Sequence, residues 1–379
     1  MTMCGALLQM LPVVAGLRLR GPVRFMPLAA LLLALGTLLL VAGFLSGGTF
    51  LFAAAAVLLA AAFGLLLACL ARTLFVREVA APVADIVRGM RGAVLALMLT
   101  VGCGLPLAVW LAGGPAVPAV RLTDVHAGLG LAGWVLTLVV AVSFQVLPMF
   151  QATALYPRGA TRWIVPALAV TLLAWTTLHW LPLAAAGSVD AGMWDANWLA
   201  RCGGAGVAAA YAVVSLRLLW RRRRGKVSAS TGYWYLALAA LGAGAILFAW
   251  PNGRGGEGDD ARALAVGVLF IGGFAMAAVN GMLYKIVPFL IWHQLQERAT
   301  TGTRVPKMTE MVTETALRIQ FGCHAAAVAA CLAACWYAPA ARPGGILLAI
   351  ACLRLGLDLA RPALRHREVL KPETPPQPS

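Results

Sequence analysis

Long apolar runs separated by short polar breaks dominate this chain. Eleven such runs stand at about 2–16, 25–45, 50–71, 92–113, 125–151, 164–186, 197–219, 231–250, 263–292, 315–337 and 344–361. A helix needs about 20 apolar residues to cross a bilayer. All but the first run meet that length, the last falling somewhat short. The runs are continuously apolar, without the alternation of barrel strands. Backbone polar groups inside lipid must pair within their own segment, so helix is the expected form. The pattern predicts an all-α, polytopic transmembrane helical bundle, a single integral membrane domain over 1–379 with a tail at 362–379.

The breaks between runs alternate in charge. Those at 17–24 and 72–91 are basic, as are the fifth, seventh and ninth and the tail; 46–49 is uncharged, and the sixth and eighth are acidic. Lys and Arg number 22 on the odd-loop-plus-tail side and 5 on the other. The basic side is expected to be cytoplasmic. That puts the C-terminus inside a bacterial cytoplasmic membrane and Met1 outside. The first run would be roughly 22 Å long as a helix, against a hydrocarbon core of about 30 Å. An upstream stretch completing it and supplying one more helix would give twelve spans with both ends inside.

Composition agrees with the pattern. Hydrophobic residues make up 61% of the chain and charged residues 12%, about half the share in soluble domains. This excludes a disordered chain and a secreted disulfide scaffold, and argues against an ordinary soluble enzyme. The net charge of +16 would suggest nucleic acid in a soluble protein. Here the basic residues lie between apolar runs, so the lipid bilayer is the expected partner and nucleic acid is not. The run Arg221–Arg224 fits a cytoplasmic anchor, with lipid headgroups as a secondary contact. The eight cysteines form no CxxC and sit mostly in apolar runs, as small hydrophobes. No phosphate loop, dinucleotide fingerprint or hydrolase elbow occurs in usable context.

A short phrase repeats. Gln9-Met10-Leu11-Pro12 returns as Gln145-Val146-Leu147-Pro148 and as Lys285-Ile286-Val287-Pro288, at spacings of 136 and 140 residues. The copies fall in runs one, five and nine, so the period is four helices. Three repeat-like arcs follow, over about 1–113, 125–250 and 263–361. Proline inside a membrane helix frees a carbonyl, which the polar residue one turn earlier can serve. The phrase therefore marks either a kink with a snorkelling side chain or a polar ring on a pseudo-threefold axis.

Three groups of four helices, together with His126-Ala127-Gly128-Leu129-Gly130-Leu131-Ala132-Gly133-Trp134 running on to Gln145-Val146-Leu147-Pro148-Met149-Phe150, resemble the haem-copper oxidase subunit I superfamily and its NnrS-like bacterial membrane proteins. The resemblance is architectural over most of the chain and residue-level over about 25 positions. It implies haem, with copper also possible, a respiratory or nitric-oxide/metal-stress role, and electron-transfer or assembly partners. The chain departs from that family in having five histidines, no His-His pair and no His-Pro-Glu-x-Tyr motif. Val266 stands where the third repeat would match His126. A complete oxygen- or nitric-oxide-reducing centre is not expected; a single haem, one metal or none is.

His126 is the first candidate ligand for haem or metal, the alternative being an interfacial cap. Glycines 128, 130 and 133 thin its helix, for a macrocycle or for a close helix neighbour. His179, expected at the same side and depth, is the second candidate. His324, mid-membrane beside Cys323, is a third for metal. Gln9, Gln145, Lys285 and Asp358 form a candidate polar pathway, with Asp358 and Arg354 an i, i+4 pair. That pathway carries the alternative reading, a proton- or ion-coupled permease; a structural membrane assembly factor is the third.

Overall fold

The computed structural model describes residues 2–75, 79, 83–180, 196–222, 228–251, 257–298 and 305–366. Arg77, Asp190, Asp195, Arg223, Arg224, most of the Gly-rich loop after Pro251 and the tail beyond His366 lie outside the described residues. So do residues 181–186 of the sixth run.

The chain is helical, with no strand among the described residues. The helices are α1 (Thr2–Ala15), α2 (Met26–Ser46), α3 (Thr49–Leu74) and α4 (Ala84–Leu111). In α5, Ala119–Gly128, Leu129–Leu136 and Thr137–Gln151 run on as one rod. Then come α6 (Arg158–Trp180), α7 (Ala196–Trp220) and α8 (Ala229–Ala249). In α9, Glu257–Val268, Leu269–Met276 and Ala277–Arg298 are again continuous. The last two are α10 (Glu314–Ala334) and α11 (Ala341–His366). Among the described residues ten helices are long and apolar enough to cross a membrane, and the apolar part of α1, Thr2–Val13, is shorter. The protein is an all-α polytopic bundle.

Local chemistry sets the ends. Pro27 sits in the first turn of α2, where its missing N–H costs nothing. Gly47 closes α2 at φ 71°, a left-handed cap that favours glycine, and lets α3 fold back on it. Thr313 caps α10 by accepting from the N–H of Ala316. Several helices extend past the apolar runs into polar sequence. Thus α5 begins at Ala119 rather than near Val125, and His126 lies within the helix instead of opening it.

The chain divides into two compact units: Met1–Arg221 with Phe248–Pro251, and Arg222–Leu247 with Asn252–Ser379. In the first, α5 is the central rod, with 61% of its apolar window buried; the other spans bury less than half of theirs. Leu38, Leu45, Phe50, Val57 and Val170 point outward and are mostly exposed. Such a surface suits hydrocarbon, not water.

The repeat is written into the backbone. Both α5 and α9 carry a π-helical stretch, Leu129–Leu136 and Leu269–Met276, at the same sequence spacing that separates Gln145 from Lys285. The close helix approaches repeat with it. A Cβ built on Gly133 would stand 2.7 Å from Ala96 Cβ on α4, and one on Gly273 2.5 Å from Ala240 Cβ on α8. Gly133 also faces Leu172 on α6, as Gly272 faces Val328 on α10. So α4–α6 and α8–α10 pack alike and, each with the helix that follows, make two four-helix groups, α4–α7 and α8–α11. This grouping begins one helix earlier than the arcs drawn from the repeated phrase, and accounts for the third arc holding only three helices.

Candidate functional site

His126 lies half-buried on α5 against α4. Its Nδ1 is 2.9 Å from the backbone oxygen of Thr100. A carbonyl only accepts, so Nδ1 carries the proton; in the neutral imidazole this leaves the lone pair on Nε2. The Thr100 hydroxyl is turned back onto the Ala96 carbonyl. Gly104, one turn further along α4, makes room for the ring: a Cβ there would stand 2.7 Å from His126 Cε1. Metal-bound histidines are commonly oriented by such a bond from the second ring nitrogen.

The glycines beside His126 are covered by protein. Gly128 faces the Trp175 ring, with 2.6 Å between its built Cβ and the nearest ring atom; Gly130 faces the Thr100 methyl; Gly133 faces Ala96 and Leu172. They serve helix packing. They leave no place for a macrocycle against that face of α5.

His179 sits on α6 in a different setting. Its Nε2 approaches Asp124 Oδ2 at 3.3 Å, without the alignment of a hydrogen bond. Trp175 stacks on the ring at a centroid distance of 5.2 Å. No hydrogen bond or ring contact joins the two imidazoles. Among the described residues no three His, Cys, Asp or Glu side chains gather as a metal site, and all eight cysteines are free thiols.

The C-terminal half of α5 holds a closed polar cluster. Tyr211 on α7 donates to Ser143 at 3.0 Å, and Tyr156 meets Ser215 at 2.8 Å, all buried. Tyr156, in the turn after α5, has its phenol pushed above the ordinary range by burial, with the Ser215 bond opposing.

In the second unit, Asp358 on α11 is buried. It accepts from the Tyr284 hydroxyl at 3.0 Å and lies 3.7 Å from Arg354 Nε and 3.6 Å from Arg361. His324 on α10 is fully buried, with Nε2 donating to the Gly272 carbonyl at 3.1 Å. Gln320, one turn earlier, donates to the Ala351 carbonyl at 3.1 Å. Tyr233 on α8 lies against His324, with ring centroids 5.7 Å apart. The Tyr233 hydroxyl, Gln320 Oε1 and His324 Nδ1 are buried without a protein hydrogen-bond partner.

Of the candidate pathway, Gln9 is exposed, Gln145 and Lys285 are half-buried, and only Asp358 is buried. Sequence reasoning does not single out Thr100 and Gly104, an i, i+4 pair on α4, nor Tyr233, Tyr284 and Gln320. Tyr284 directly precedes Lys285 in the repeated phrase, and its charged neighbour is the more conspicuous of the two.

Comparison with protein-family models, with curated proteins and with solved structures returned no match.

Proposed function

We propose that this membrane protein binds a single haem through His126, on the plan of haem-copper oxidase subunit I but without a binuclear centre. It would work in a bacterial cytoplasmic membrane, C-terminus inside, in respiration or in the response to nitric oxide or metal stress. One observation carries the reading: His126 Nδ1 lies 2.9 Å from the Thr100 carbonyl, a bond that in the neutral imidazole leaves the Nε2 lone pair for a ligand. A haem iron needs one axial imidazole from the protein, whereas a copper site needs several donors converging. A single oriented imidazole suits the former. Haem, when bound, would supply one-electron and diatomic-gas chemistry. The chain's part is to fix the imidazole: Thr100 sets its tautomer and Gly104 its position.

The test is the visible spectrum of detergent-purified protein from a haem-sufficient host. A Soret band is expected in the wild type and in His179→Ala, and its loss in His126→Ala. A band that survives His126→Ala overturns the ligand assignment.

The second reading, a proton- or ion-coupled permease, is favoured by the buried carboxylate of Asp358. Ionisable groups inside a membrane are costly and are kept for ion or proton pathways. Substrate-dependent flux in proteoliposomes, from protein with no Soret band, would support it.

A further inference from the structure

The polar cluster beside Tyr211 in the first four-helix group and the polar side chains beside Tyr233 in the second are satisfied differently. In the first, each buried hydroxyl of Tyr156, Tyr211, Ser143 and Ser215 has a partner in that cluster. In the second, Tyr233, Gln320 and His324 each leave a buried polar atom with no protein partner. Buried polar groups in native proteins are paired with protein or with ordered water, so these three need an explanation.

Their chemistry defines what would fit. His324 Nε2 donates to Gly272, so Nδ1 is a bare acceptor. Gln320 donates through Nε2 to Ala351, so Oε1 is a second acceptor. The two residues are i, i+4 on α10 and share a face. The Tyr233 hydroxyl can donate or accept, and its ring stands beside His324 and edge-on to Phe321 at 5.0 Å. The ligand must be small, must donate twice and must accept once. Water does all three. A metal ion finds a single histidine nitrogen here, and no three His, Cys, Asp or Glu side chains gather as a metal site among the described residues.

We propose that the interior of the second unit, walled by Tyr233, Gln320 and His324, is a buried site for ordered water. One water donating to His324 Nδ1 and Gln320 Oε1 and accepting from Tyr233 completes all three groups, a number of partners typical of buried water. This inference does not depend on His126 or on haem.

X-ray hydroxyl-radical footprinting of the full-length protein in nanodiscs tests it, because radicals formed on bound water label the side chains that water touches. Tyr211 is the control, equally buried but bonded to Ser143. Phe274, fully buried in the second unit, controls for local opening. Tyr233 and His324 should label several-fold faster than Tyr211 and Phe274. His324→Leu should slow Tyr233 to the rate of Tyr211, while His324→Gln, which restores an acceptor, should keep much of the wild-type rate. Tyr233 as slow as Tyr211 in the wild type overturns the proposal. So does Phe274 labelling as fast as Tyr233, or Tyr233 staying fast in a folded His324→Leu protein.

Discussion

Asp358→Ala is expected to lower unfolding free energy by about 2–4 kcal/mol, against a much smaller loss for Arg361→Ala, within about 0.5 kcal/mol. The carboxylate is 4% exposed, whereas Arg361 is 66% exposed and Arg354 34%. Removing the carboxylate leaves the Tyr284 hydroxyl without its acceptor and Arg354 Nε, buried and already without a hydrogen bond, without its counter-charge. Both are losses inside a packed, apolar setting, where an unpaired polar group is most costly. The cost stays below the upper range for broken buried pairs because both arginines retain access to the surface. Asp358→Asn keeps an acceptor for Tyr284 and should cost about half as much. Unfolding of the three variants in a mixed-micelle titration checks the order Ala, Asn, then Arg361→Ala. Equal effects for Asp358→Ala and Arg361→Ala would show that the carboxylate is solvated.

The second large effect concerns the helix contacts that repeat. Gly133→Leu and Gly273→Leu should each destabilise by about 1–3 kcal/mol or more, because α4 and α8 leave no room for a side chain. Gly92→Leu on α4 and Gly242→Leu on α8 meet open space and should be neutral or slightly stabilising, since leucine is the better helix former. Thermal unfolding in detergent separates the pairs. Similar losses at Gly133 and Gly273 support the equivalence of α4–α6 and α8–α10. A tolerated leucine at either would contradict it.

How far the sequence reaches is clear from these positions. The helices were legible because each span is an uninterrupted apolar run, and the repeat because Pro148 and Pro288 punctuate equivalent helices. The π-helical stretches after His126 and after Val266 were not legible, since no residue type marks them. Glycines 128, 130 and 133 predicted thin helix faces without saying what fills them; Trp175, Thr100, Ala96 and Leu172 do. Charge draws attention to Lys285, yet Tyr284 is the neighbour whose hydroxyl reaches Asp358. Pairings across helices depend on rotation about the helix axis, which an all-round apolar sequence leaves unspecified. His126 and His179 stand at similar heights in sequence terms but face different neighbours, for the same reason.

The most direct test of the central claim is the haem content of the wild-type protein. The pyridine haemochrome assay would be set against protein concentration, with the protein purified from haem-sufficient membranes. One haem per chain, with a Soret band that shifts on dithionite reduction, is the predicted result. Protein that is folded and free of haem would contradict it.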